Sequence, residues 1–293
     1  MIKNHPLIDL EINISDAITH HSADIVVAYK EVESQPIYLG YYLPKEYDSD
    51  KEYPTFVFVH GGGWASHMIF EDQETWAGDY LGYLARYYAD KGFISVSIDY
   101  RLAVHSGQKE NYGLINCYED CCDAMDYILT HAKEYGVNVS EMYLLGESAG
   151  GYLAAALATF HYDKQYMLKK VFLVNSITHL YDRWKVNVPI CSQHSQLQNL
   201  TVDERADFLS PLYQLDRNCG KVILFHGECD PVVSIEHSRL FYDKMVSLRI
   251  PCEFHIFENT KHAFLLAEYY ERGLEACKIT ISIIDSALEN YHK

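Results

Sequence analysis

Ser148 sits in the run Gly146-Glu147-Ser148-Ala149-Gly150, followed by Gly151. The run lies between a short apolar segment, 142–145, and an Ala-rich stretch, 149–160. Glycines at that spacing permit a sharp strand-to-helix turn that holds a serine strained and exposed. A helix N-terminus just behind it favours developing negative charge. Upstream, His60-Gly61-Gly62-Gly63-Trp64 follows another apolar run, Thr55 to His60. Consecutive glycines let backbone N–H groups turn into a cleft, where acyl transfer needs donors for an oxyanion. Gly61, Gly62 and Ala149 are the expected donors. Trp64 is an expected wall of the site.

Two late residues complete the set. Asp230 follows the apolar run 221–226, and His262 follows 252–257. The order Ser148, Asp230, His262 suits a strand–helix chain whose nucleophile leads. His262 would take the Ser148 proton and return it to the leaving group, and Asp230 would hold the imidazole tautomer. Glu228 and Asp216 are rivals for the acid. Of the 15 His, His20, His21, His161 and His194 read as surface residues.

These residues need a scaffold. Residues 24–29 and 36–43 read as strands with no helix between them, hence an antiparallel edge. From residue 55 the chain alternates. Strands are expected at 55–60, 93–98, 142–145, 171–174, 221–226 and 252–257. Helices are expected at 75–91, 115–135, 149–160, 234–248 and 263–290. Apolar runs without alternation are those of strands buried on both faces. Strand–helix alternation gives a mostly parallel twisted sheet with helices on both faces. The irregular stretch 176–217 is too long for an ordinary connection and is expected to be a small cap over the site. Tyr181 and Trp184 within it are candidate substrate walls.

The motifs together are specific. His60-Gly-Gly-Gly-Trp64, Asp99-Tyr-Arg-Leu102, Gly146-Glu-Ser-Ala-Gly150, Ser210-Pro211, His226-Gly-Glu-Cys-Asp230 and Lys261-His-Ala-Phe264 resemble the hormone-sensitive-lipase-like and acetyl-xylan/feruloyl-type esterases of the α/β-hydrolase superfamily. The match runs from about residue 35 to the end. The resemblance implies an α/β-hydrolase fold in a single domain, 1–293. It implies carboxylic-ester hydrolysis through an acyl-enzyme, with no metal or organic cofactor. It also implies that Glu147 is structural, and that Asp99 and Arg101 support the site loops. The sequence departs from lipase-like members in showing no obvious N-terminal cap helices, which favours small or extended acyl esters, such as acetylated or feruloylated sugars. The 226–262 segment also resembles prolyl-oligopeptidase-type domains, and His60-Gly-Gly suits arylformamidases, so a peptidase or amidase is the alternative reading. A non-catalytic module on this fold is disfavoured because Ser, Asp and His are all present.

Composition sets outer limits. The 293 residues are 48% hydrophobic and carry 24 basic against 41 acidic groups, a formal charge of −17. That amount of apolar side chain supplies a core. An acidic surface repels phosphate backbones and anionic lipid, so the expected partner is a small-molecule ester, with no nucleic acid and no membrane. Homo-oligomerisation is left open. The eight Cys, including Cys191, read as buried free thiols, because a chain of this size needs no disulfide staples. With no signal-like start and no long apolar stretch, a cytoplasmic location is expected. The 25 Tyr are expected mainly at rims and clefts.

Overall fold

The computed structural model describes residues 22–68, 78–103, 112–160, 166–181, 197–266 and 271–288. Eight strands form one sheet: β1 Ile25–Val32, β2 Gln35–Tyr42, β3 Tyr53–Val59, β4 Ile94–Ile98, β5 Val137–Glu147, β6 Leu168–Val174, β7 Lys221–Gly227 and β8 Cys252–Phe257. Their spatial order is β1-β2-β4-β3-β5-β6-β7-β8. β1 pairs antiparallel with β2, and β2 antiparallel with β4. From β4 to β8 every pairing is parallel. The antiparallel edge and the parallel body are those expected from sequence, and the architecture is the α/β-hydrolase fold.

Helices cover both faces because each strand of the parallel body must return by a crossover. On one face α1, Leu114–Thr130, α2, Ser148–Thr159, and α3, Glu236–Leu248, pack over Val57, Val96, Leu144 and Leu173. On the other face α4, Gly82–Asp90, and α5, Glu271–Leu288, pack over Phe56, Phe58, Leu145 and Phe225. Every residue of α2 is buried. A helix apolar on all sides belongs in an interior, and alanines at 154–156 and 158 let it lie close to the sheet.

Several boundaries differ from expectation. The first expected helix spans 82–90, because Tyr80 and Leu81 form a turn. The closing helix starts at Glu271, since residues 262–265 are turn and Ala263 has φ 57°. Many tyrosines are core residues instead of rim residues: Tyr41, Tyr42, Tyr88, Tyr100 and Tyr152 are fully buried. Some of their hydroxyls find backbone acceptors, as Tyr152 does at Leu209 O (2.7 Å), and a satisfied hydroxyl removes most of the cost of burial. None of the seven described cysteines is in a disulfide; Cys117, Cys121, Cys219 and Cys277 are buried, whereas Cys229 is exposed. Cys191 lies outside the described residues.

Of the expected cap, residues 176–180 are buried beside the sheet. Two short helices follow, Val202–Phe208 and Pro211–Gln214. Residues 182–196 lie outside the described residues. Among those described, no helix is long and apolar enough to cross a membrane.

Candidate active site

The carboxyl ends of β5, β7 and β8 carry the three side chains that sequence singled out. Ser148 opens α2 at the tip of β5 with φ 54°. A non-glycine residue with positive φ is strained, and the turn persists because its surroundings hold it. Gly150 makes the turn feasible: a Cβ there would strike the carbonyl oxygen of Val59 at the end of β3. The Ser148 oxygen is thereby pushed out of the sheet towards His262.

β7 and β8 are parallel neighbours, with Gly227 level with Phe257. Their following loops are stitched together. Glu228 N–H donates to Phe257 O (2.9 Å), and Cys229 N–H donates to Thr260 O (2.9 Å). Phe264 anchors the far side of the second loop, buried edge-on against Phe257 at 5.2 Å between centroids. These ties set Asp230 and His262 face to face.

The resulting line is short. His262 Nε2 is 2.9 Å from Ser148 Oγ, and His262 Nδ1 is 2.6 Å from Asp230 Oδ2. The other Asp230 oxygen accepts the N–H groups of Val232 (2.8 Å) and Val233 (2.9 Å). His226, fully buried, stands 3.4 Å from Asp230 Oδ2 and donates through the same Nε2 to Val233 O at 3.0 Å. Burial pushes the Asp230 carboxyl upward, but hydrogen bonds from His226 and His262 outweigh it and hold the group well below the usual carboxylate range. Asp230 is therefore an anion at neutral pH. The rivals lie elsewhere. Glu228 is exposed, and Asp216 accepts from Asn218 N–H in its own turn (2.8 Å).

The glycine loop lies against the elbow. Gly62 has φ 97°, and a Cβ on it would meet Ser66 O, so only glycine fits without strain. Gly61 differs from expectation. Its N–H donates to the buried Tyr80 hydroxyl (3.3 Å) and is engaged inside the protein. Gly62 N–H has no acceptor among the described residues. Ala149 N–H, in the first turn of α2, has no intrahelical acceptor.

Trp64 is also displaced from its expected role. It is fully buried, meets Tyr152 edge-on at 5.4 Å and donates its indole N–H to Ala149 O (3.1 Å). It braces the elbow from inside and walls no cleft. Tyr181 is half-buried and donates its hydroxyl to Asp207. Trp184 and the four histidines His20, His21, His161 and His194 lie outside the described residues.

The supporting residues are partly as expected. Glu147 is buried; its Oε2 accepts the Tyr80 hydroxyl, and its Oε1, 3.9 Å from His262 Nε2, has no hydrogen-bond partner. Burial raises its carboxyl. Asp99 receives both His60 (3.0 Å) and His67 (2.7 Å) on Oδ1. Arg101 instead turns away, forking onto Asp120 of α1 through Nε and Nη2 (both 2.7 Å). Tyr80 and His226 escaped the sequence reading. His226 was legible only as the end of an apolar run and the start of the motif that reaches Asp230, and nothing in the chain marks Tyr80 among 25 tyrosines.

The chain matches known proteins along most of its length. Residues 39–245 match the family model for BD-FAE. An acetyl esterase of Salmonella typhi is 28% identical over 251 residues, 80% of this chain and 70% of that protein. The chloroplastic tuliposide A-converting enzyme 1 of Tulipa gesneriana is 26% identical over 274 residues, 83% of this chain and 66% of that one. Among solved structures, esterase 2 of Thermogutta terrifontis with butyrate bound superposes with a TM-score of 0.71 at 25% identity, covering 92% of this chain and 94% of that one. The chain belongs to the BD-FAE family and is a carboxylesterase on the α/β-hydrolase fold.

Proposed function

We propose that Ser148, His262 and Asp230 act as a catalytic triad that hydrolyses esters of small acyl groups through an acyl-enzyme. One observation carries this reading: His262 bridges Ser148 Oγ and Asp230 Oδ2 at 2.9 and 2.6 Å. In the first half-reaction Ser148 Oγ attacks the ester carbonyl while His262 Nε2 takes its proton. The oxyanion accepts the N–H groups of Gly62 and Ala149, aided by the N-terminus of α2. The imidazolium is stabilised by the Asp230 anion and gives its proton to the departing alkoxide. Water then repeats the cycle on the acyl-Ser148 ester and releases the acid.

The preference for small acyl groups rests on two supports. The relatives include an acetyl esterase, and esterase 2 of Thermogutta terrifontis has been solved with propionate and with butyrate bound. Acetylated or feruloylated carbohydrates are the natural substrate class we favour, and a small-molecule ester is the partner. We assign the choice among such esters to the segment 176–217, the expected cap.

The test is a panel of p-nitrophenyl esters from acetate to palmitate, with a feruloyl ester and a p-nitroanilide. Acetate to butyrate should exceed decanoate in kcat/KM, and the anilide should be poor. A steady rise towards long chains points to a lipase-like site, and a dominant anilide rate points to an amidase. A fluorophosphonate probe should label Ser148, and Ser148→Ala should lose a factor on the order of 10⁴ or more in kcat with folding intact. Labelling of a different serine overturns the assignment.

A further inference from the structure

A second cluster of ligating side chains brackets the glycine loop, with His60 before it and His67 after it. His60 Nε2, His67 Nδ1 and Asp99 Oδ1 all lie within 4.8 Å of one another. His60 Nε2 is 3.0 Å and His67 Nδ1 is 2.7 Å from that one carboxylate oxygen. The catalytic scheme uses none of the three.

We propose that His60, His67 and Asp99 form a binding site for a divalent transition-metal ion of the zinc class. Two imidazoles and one carboxylate suit zinc and its neighbours; magnesium and calcium call for sets richer in oxygen.

The ring of His60 is arranged as a metal-bound histidine is. Its Nδ1 donates to Gly61 O at 2.9 Å. A ligating imidazole commonly gives its other N–H to a backbone carbonyl, which fixes the tautomer and aims the remaining nitrogen. Here that aims Nε2 at Asp99. The ring cannot swing away, because it is fully buried and stacked on Tyr100 at 4.4 Å and 11°. Asp99 is also held in place. Its N–H donates to Tyr38 O (3.0 Å), and its carbonyl accepts the Tyr29 hydroxyl (2.8 Å).

His67 supplies the way in. Its side chain is 39% exposed, against 0% for His60 and 7% for Asp99. An ion arriving from solvent meets His67 first and keeps a water in its fourth position. Tetrahedral bonds of about 2.0–2.1 Å place ligand atoms about 3.3 Å apart. The His67–Asp99 pair must therefore open from 2.7 Å to that spacing, by roughly 0.6 Å. The exposed partner can make that movement without disturbing the core.

The test uses the full chain, stripped with chelator and titrated with zinc(II) by calorimetry. Cobalt(II) absorption serves as a second probe. One ion per chain is expected, with cobalt bands of a four- or five-coordinate nitrogen–oxygen site and a thermal midpoint raised by zinc and restored by chelator. His67→Ala should fold and keep its basal esterase rate, yet weaken zinc binding at least tenfold and lose the cobalt spectrum. Should that variant misfold, His67→Gln carries the same expectation. Ser148→Ala should bind zinc as wild type does, so failure of the catalytic reading leaves this test intact. No zinc binding up to millimolar concentration overturns the site. So does binding that His67→Ala leaves unchanged, which would place the ion on other groups such as the exposed Cys229.

Discussion

The Tyr80 hydroxyl donates to the buried carboxylate of Glu147, 67 residues away in the chain, and the same oxygen accepts the Gly61 N–H. One phenol therefore joins the glycine loop to the residue that precedes the nucleophile. The glycine loop and the turn that carries Ser148 are thereby tied together through one side chain.

Tyr80→Phe keeps the ring and removes the link. Glu147 Oε2 then loses its donor, and the Gly61 N–H loses its acceptor, both in the interior. An unfulfilled buried polar group costs about 1–3 kcal/mol, so chemical denaturation should show a loss of that size. The looser loop should lower kcat more than it raises KM. Wild-type stability and kcat in this variant would show that the link is incidental.

Asp230 is held ionised by His226 and His262 against the effect of burial. Asp230→Asn should lower kcat by a factor on the order of 10⁴, because the amide favours the wrong imidazole tautomer. Glu228→Gln should keep most of the rate. The sign of the shift also fixes a pH effect. A depressed carboxyl contributes stability above its unfolded value, near 3.9, and loses it only as the pH falls through the lower folded value. Asp230 therefore stays charged throughout the usual assay range. Any acid limb of kcat/KM there belongs to another group, and His262→Ala should remove it together with most of the activity. An acid limb that persisted unchanged in the residual activity of His262→Ala would contradict this.

Glu147 shifts the opposite way, raised chiefly by burial. A raised acid stabilises the fold most when protonated, below its unfolded value of about 4.3, and that contribution is lost as pH rises towards the folded value. Glutamine carries no charge and can still accept the Tyr80 hydroxyl. The midpoint of Glu147→Gln minus that of wild type should therefore be more positive at pH 8 than at pH 5. A difference independent of pH would show that the carboxyl titrates alike in both states.

The glycine loop separates two similar substitutions. Gly62→Ala drives a Cβ into Ser66 O at φ 97°, whereas Gly63, at φ 63°, has nothing within 4 Å of its added Cβ. Displacing an oxyanion donor costs about 10²–10³ in kcat, and Gly62→Ala should fall in that range. Gly63→Ala should stay within about tenfold of wild type, since left-handed backbone costs alanine only about 1–2 kcal/mol. Equal losses in the two variants would remove Gly62 as the donor.

Much of the site was legible because its parts sit where strand ends meet motifs. Ser148 lies between an apolar run and an alanine-rich helix, and glycine spacing marks such an elbow. Asp230 and His262 each follow an apolar run by a few residues, and β7 and β8 are adjacent, so short loops bring them together. Less was legible where a role depends on direction. Trp64 follows the glycines as a site wall might, yet its positive φ of 58° turns the ring inward to Ala149. Gly61 and Gly62 are identical in type, and only the position of Tyr80 tells which N–H is engaged.

The chain by itself determined the order of its strands and helices and the antiparallel edge, and it singled out Ser148, Asp230 and His262 as the candidate triad. These follow from local periodicity, glycine spacing and the short reach from a strand end. Tertiary structure alone decided that the Gly61 N–H is engaged by Tyr80, that Trp64 and many tyrosines are core residues, and that Tyr80 meets Glu147 and His226 meets Asp230. It also brought His60 and His67 onto Asp99. These are contacts between residues up to scores of positions apart, and hydrogen bonds and burial are properties of neighbours in space, which periodicity along a chain does not record.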